Sequence, residues 1–264
     1  MNGPIGVFDS GLGGLTVLRS MIDLLPHEPV VYFGDTARFP YGPKPRDEVV
    51  KYALEIGELL VDRGARVVVV ACNSAAAAAL DALETNLPVP VLGVIDPGMR
   101  AAARVTRSGR VGVIGTVGTI ASGAYQRAAE SLDGDLELTC AACPGFVEFV
   151  EAGDVESEQV HVLAERLLAP LKDVSVDTLV LGCTHYPLLA RTISDVMGPN
   201  VTLVSSADET ATAVRALLGD PSPGAERRAG HRAFVTSGDP DTFRHLGARF
   251  LGPEVEHVEQ WLWT

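Results

Sequence analysis

Two cysteines, Cys72 and Cys183, are the side chains in this sequence whose type and placement best suit chemistry. Each follows a short apolar run and precedes two hydrogen-bonding residues, Asn73-Ser74 in one case and Thr184-His185 in the other. In an open α/β sheet, ligands bind at the carboxyl edge of the strands, and both thiols are expected there with a helix beginning behind each. A free thiol has a pKa of about 8.5, so it becomes a useful base where a helix N-terminus or a nearby cation favours the thiolate. One buried cysteine alone would ordinarily be a small hydrophobe. Two in matched settings suit proton exchange at a stereocentre. Facing one carbon from opposite sides, one takes a proton and the other returns it on the far face, which inverts the centre.

Elements that could hold two thiols in this way are legible in the pattern. Apolar runs at Ile5–Phe8, Val30–Phe33, Val67–Ala71, Val91–Val94, Val111–Ile114, Leu136–Cys140, Leu179–Leu181, Val201–Val204 and Ala233–Thr236 read as strands, most of them too apolar to be half exposed. Between them lie helical spacings, such as Val49, Val50, Ala53, Ile56, Leu59 and Leu60 before Gly64, and Leu163 to Leu171. This alternation predicts an α/β fold with parallel sheets. Gly6-Val7-Phe8-Asp9-Ser10-Gly11 is echoed by Gly112-Val113-Ile114-Gly115-Thr116-Val117, and Val70-Ala71-Cys72-Asn73-Ser74 by Leu181-Gly182-Cys183-Thr184-His185, in the same order. Two echoes in register predict two pseudo-symmetric lobes, each a mostly parallel sheet flanked by helices, with the active site in the cleft between them. The expected division is 1–97 plus 208–264 for the Cys72 lobe and 98–207 for the Cys183 lobe, with a boundary near Asp96-Pro97-Gly98 and a return near Ser205–Asp208. Residues 219–231, rich in Gly, Pro, Ser and Arg, read as a surface loop.

Composition narrows the function. With 264 residues and 47% hydrophobic content, the chain can bury a sizeable core. The 34 acidic residues exceed the 21 basic ones and give a net charge of −13, which repels polyanions; Arg227, Arg228 and Arg232 read as a solvated loop, so no nucleic-acid partner is expected. No apolar run is long enough to span a membrane, and Met1-Asn2-Gly3-Pro4 leads straight into a strand without a secretory pattern, so the cytoplasm is the expected compartment. Four cysteines there need form no disulfide. Cys140-Ala-Ala-Cys143 alone is weak support for a redox pair or half a zinc site, and no metal is expected. A pyridoxal-type cofactor would need a lysine; of Lys44, Lys51 and Lys172, only Lys44 lies near the expected cleft, and no organic cofactor is expected. The Gly-Leu-Gly-Gly turn lacks a phosphate-loop lysine; its Gly11 to Gly14 amides, and the helix after Ser74, are expected to offer donors to carboxylates.

Phe8-Asp9-Ser10-Gly11, Gly34-Asp35-Thr36 with Pro40-Tyr41-Gly42, Ala71-Cys72-Asn73-Ser74 and Gly182-Cys183-Thr184-His185-Tyr186-Pro187 together resemble the cofactor-independent aspartate/glutamate racemase family, over nearly the whole chain. Cys143-Pro144, Phe146-Val147 and Val150-Glu151-Ala152-Gly153 fit the same pattern, whereas Ser74 stands where many members carry threonine and Phe39 where smaller residues are common. The resemblance implies that Cys72 exchanges the α-proton of D-glutamate and Cys183 that of the L form, with Asp9 serving the first thiol, His185 the second, and Glu151 a further acid beside Cys183. It also implies a small-molecule site formed by Asp9, Ser10, Asp35, Pro40, Tyr41, Gly42, Asn73, Ser74, Thr184 and His185, a homodimer, and a supply of D-glutamate for peptidoglycan. The threonine-histidine-tyrosine motif points to glutamate, with aspartate as the nearest alternative acid. A non-catalytic acidic-metabolite binder or a thiol redox module would differ in tolerating loss of either cysteine.

Overall fold

The computed structural model describes residues 3–132, 134–219 and 230–263. Met1, Asn2, Arg227, Arg228 and most of the expected 219–231 loop lie outside the described residues. Two all-parallel sheets form the frame. The first contains β1 (Ile5–Asp9), β2 (Val30–Gly34), β3 (Val67–Val70), β4 (Val91–Gly93), β9 (Arg232–Thr236) and β10 (Val258–Gln260), in the order β10-β9-β2-β1-β3-β4. The second contains β5 (Arg110–Gly115), β6 (Glu137–Ala142), β7 (Thr178–Gly182) and β8 (Thr202–Val204), in the order β6-β5-β7-β8.

Parallel neighbours require crossovers, and helices fill them. In the first sheet these include α1 (Leu15–Leu24), α2 (Arg46–Asp62), α3 (Asn73–Asn86) and α11 (Pro240–Leu251); α4 (Ile95–Val105) joins the two sheets. Around the second sheet lie α5 (Val117–Ala121), α6 (Ala124–Glu130), α7 (Phe146–Ala152), α8 (Glu158–Asp173) and α9 (Ala190–Met197), and α10 (Ala207–Leu218) returns the chain to pack on α1. The helical spacing before Gly64 is α2, and Gly64 stops it at φ +83°, a left-handed conformation that suits glycine. Asp96-Pro97-Gly98 is helical, in the first turns of α4, where proline costs no intrahelical bond.

The burial pattern explains the order. All four valines of β3 are buried, as befits a strand covered on both faces. In the second sheet, Val111, Val113 and Val180 join an apolar cluster shared with the first sheet's residues, while Ile114, Leu179 and Leu181 face a second cluster with Phe146, Leu168 and Tyr186. The edge strand β10 was not among the predicted strands; it has three residues, none buried, and a polar Glu-Gln end, so it carries almost no alternation to read.

The two sheets share one plan. The order β2-β1-β3-β4 is repeated by β6-β5-β7-β8. Phe8 pairs with Val70 as Ile114 pairs with Leu181, so Cys72 and Cys183 each stand two residues beyond an equivalent pair. The thiols are therefore register-equivalent, one at each carboxyl edge.

Candidate active site

Around Cys72 the geometry follows from a strand running directly into a helix. Cys72 is the N-cap of α3: its sulfur accepts from the Ala75 N–H at 3.4 Å and the thiol donates to Ser10 Oγ at 3.5 Å. Asp9, the last residue of β1, is fully buried beside it and accepts from the Gly11 N–H at 3.0 Å. Burial raises the Asp9 carboxyl, against the opposing pull of the His185 charge and of the Gly14 and Gly11 N–H groups. Burial, reinforced by the Asp9 charge, pushes the Cys72 thiol up to about 12, so at neutral pH it carries its proton.

Cys183 is set differently. After β7 come a turn and a 3-10 helix, Tyr186–Leu189, so the α-helix expected directly behind this thiol begins only at Ala190. Pro187 lies at the start of that 3-10 segment. An imidazole takes the place of the helix end: His185 Nδ1 lies 3.9 Å from Cys183 Sγ, and His185 Nε2 lies 2.6 Å from Glu151 Oε1. Burial alone would depress this imidazole, but its bonds to Cys183 and Glu151 and the Asp9 charge outweigh that and lift it to about 10. The aromatic rings of Phe39 and Phe250 hold it, with centroids 5.9 and 5.6 Å away.

The two settings meet. Thr184 donates to Asp9 Oδ1 at 3.5 Å, and Thr16 donates to the Thr184 carbonyl at 3.3 Å. Gly13 is needed at this seam, because a Cβ there would stand 2.3 Å from Thr184 Oγ1 and 2.5 Å from His185 Nδ1. A second seam joins Ser74 Oγ to Thr116 Oγ1 at 3.0 Å and Thr119 Oγ1 at 3.2 Å, and the Gly118 N–H donates to the Gly42 carbonyl at 3.1 Å. Pro40 and Gly42 border a cavity of about 110 Å³ together with Thr116 and Cys143, while Glu151 borders another of about 250 Å³ with Gly11 and Phe39.

Several expectations change in detail. The Gly11 amide, and Gly14's, face Asp9 instead of standing open for a carboxylate ligand, since a buried acid takes the nearest donors. Asp35 is fully buried and both its oxygens are occupied: Ser237 and Trp263 Nε1 donate to Oδ1 at 2.7 and 3.1 Å, and Arg38 Nε (2.7 Å) and the Tyr41 hydroxyl donate to Oδ2. Asp35 therefore anchors the 36–42 loop that brings Pro40, Tyr41 and Gly42 forward, and Tyr41 turns its hydroxyl toward Asp35. Lys44 pairs with Glu48 at 3.2 Å and Lys51 with Glu55 at 3.9 Å. Cys140 lies on β6 and packs against the first apolar cluster, whereas Cys143, one residue past that strand, is buried in the second, which does not suit a redox pair. Among the described residues no cluster of three or more His, Cys, Asp or Glu could hold a metal, and no helix is long and apolar enough to cross a membrane.

Sequence reasoning missed Thr116, Tyr125 and Phe250. Thr116 carried a signal, since the internal echo aligns it with Ser10. Tyr125, which donates to Asn73 Oδ1 at 2.7 Å, and Phe250 carried none.

Two parallel sheets flanked by helices, with buried acid/base side chains gathered where their carboxyl edges meet, define an α/β isomerase of the amino-acid racemase class. Residues 5–214 match the family described as Asp/Glu/Hydantoin racemase, and the chain belongs to that family. It is 51% identical to the glutamate racemase of Corynebacterium kroppenstedtii over 98% of each chain, and 52% identical to that of Mycolicibacterium paratuberculosis over 97% of this chain and 94% of the relative. The fold matches the crystal structure of a glutamate racemase from Bacillus anthracis with a TM-score of 0.91, 42% identity and coverage of 99% and 97%. It matches glutamate racemase from Francisella tularensis in complex with D-glutamate with a TM-score of 0.90, 32% identity and coverage of 98% and 97%.

Proposed function

We propose that this enzyme interconverts L- and D-glutamate, with Cys72 and Cys183 as the two acid/base groups. The observation that carries the reading is the register-equivalent placement of the two thiols at carboxyl edges whose side chains meet through Thr184 and Asp9. Stereoinversion without a covalent intermediate needs one group ready to give a proton and one ready to take it. Cys72, held neutral at neutral pH, supplies the proton; Cys183, facing the His185 cation, takes one from the opposite face. After turnover the two have exchanged states, which loads the enzyme for the reverse direction.

The α-carbanion needs stabilisation, and a water-excluding site with fixed donors provides it. Asn73 is buried and its Nδ2 has no partner among the described residues, which suits a donor kept for a substrate carboxylate. The glutamate complexes and glutamate names among the relatives support glutamate as the acid. On this reading residues 1–97 with 208–264 form the Cys72 lobe and 98–207 the Cys183 lobe, and the enzyme works in the cytoplasm as a homodimer supplying D-glutamate to peptidoglycan.

Chiral analysis of the product from each glutamate enantiomer, beside aspartate, tests the substrate. In deuterium oxide the enantiomer formed should carry α-deuterium from the start; racemisation with full retention of the original hydrogen would exclude the two-thiol route.

A further inference from the structure

Tyr125 lies in the first turn of α6, on the Cys183 side, yet its hydroxyl donates at 2.7 Å to Oδ1 of Asn73, the residue after Cys72. The ring is buried and packed on the backbone just before the other thiol, since a Cβ on Gly182 would stand 3.0 Å from the Tyr125 oxygen. One phenol thus bridges the neighbours of both cysteines. Burial, followed by the Cys183 and Cys140 charges, raises this phenol above its ordinary value, so it stays a donor.

The consequence lies in the amide. A carboxamide has one acceptor oxygen and one donor nitrogen, and fixing the first fixes where the second points. With Oδ1 claimed by Tyr125, the Asn73 Nδ2 group is left buried without a partner among the described residues. A buried unpaired N–H group is costly, and such groups in native proteins call for an explanation. We infer that Tyr125 is a positioning residue that holds the Asn73 amide with its NH2 turned toward a substrate carboxylate, tying substrate binding on the Cys72 side to the lobe that carries Cys183. This rests on the reading of the site as one for an acidic amino acid.

The test is a double-mutant cycle of Tyr125→Phe and Asn73→Ala on glutamate racemisation, joined to NMR of the ligand-free enzyme with nitrogen-labelled asparagine. Phenylalanine keeps the buried ring, so the fold is expected to hold. In the Asn73 background Tyr125→Phe should lower kcat/KM about tenfold, chiefly through KM, and in the Asn73→Ala background less than about twofold. Equal losses in both backgrounds would make Tyr125 a packing residue and overturn the proposal. Asn73→Asp keeps the acceptor for Tyr125 but offers no donor, so kcat/KM should fall about a hundredfold; an unchanged or improved value also overturns it. In the NMR experiment Tyr125→Phe should shift the Asn73 side-chain amide signals and leave those of exposed Asn86 in place; unshifted Asn73 signals sink the proposal. A wild-type enzyme inactive on glutamate and aspartate, but showing the Asn73 shift, would refute the proposed reaction while supporting the Tyr125–Asn73 link.

Discussion

The surroundings of Cys72 and Cys183 occupy equivalent places in two sheets of equal strand order, yet their neighbours differ in kind. Cys72 caps a helix, and its burial, reinforced by the fully buried Asp9 beside it, keeps the thiol proton on at neutral pH. Cys183 has a turn and a 3-10 segment behind it and faces an imidazolium whose far nitrogen is bound to Glu151. The equivalence of the strands sets where the thiols stand, and the unlike neighbours set what each one meets, a buried carboxyl beside Cys72 and an imidazolium beside Cys183. An inverting enzyme needs both properties, since two identical stations in identical states could not give and take in the same turnover.

The strongest way to break this comparison is to remove one thiol at a time. Cys72→Ser and Cys183→Ser should each lower racemisation by at least about a thousandfold while preserving the fold. Each should keep sidedness: Cys72→Ser still exchanges the α-hydrogen of L-glutamate with deuterium oxide, and Cys183→Ser that of D-glutamate. Mass spectrometry of recovered substrate checks this, and exchange of both enantiomers by either variant would dissolve the distinction between the stations.

His185→Asn comes next, with an expected loss of about a hundredfold. Wild-type activity should fall as pH rises through about 10, where the imidazolium is lost, and the variant should lack that limb. Stability follows the same sign. The folded value lies above the unfolded one of about 6.5, so the contribution is fully present below that value and lost as pH climbs to about 10. Denaturant midpoints measured from neutral pH to pH 10 should therefore drop further for wild type than for the variant.

Gly13→Ala would press a methyl group onto Thr184 and His185, with an expected stability cost of about 1–3 kcal/mol and an activity loss of about tenfold, read from thermal unfolding and kcat/KM together. The smallest change is expected for Glu151→Gln. Its side chain is 25% exposed beside an open cavity, and glutamine can still bond His185, so a loss of only a few-fold is expected, with the alkaline limb moved toward lower pH. An effect as large as that of His185→Asn would show that Glu151 acts on substrate itself.

Much of this arrangement could be read before any tertiary contact was known. The strands of both sheets apart from β10, the helices after Pro45 and around Leu163, and the paired cysteines all rest on periodicity and on residues close in sequence, which local backbone geometry converts directly into elements. The internal echo also held enough information to align Thr116 with Ser10. The role of Asp35 was not legible, because its four donors come from Arg38, Tyr41, Ser237 and Trp263, two of them about two hundred residues away.

The sequence by itself determined the alternation of strands and helices, the two thiols at strand ends and the repeated plan that makes them equivalent. Only the tertiary structure decided that Asp9 would draw in the glycine-turn amides, that His185 would stand where a helix end was expected, and that Tyr125 would reach Asn73. The physical reason is that periodicity encodes which side of an element is buried, whereas a buried polar group bonds whatever donor or acceptor packing brings within about 3 Å, and that partner can come from anywhere in the chain.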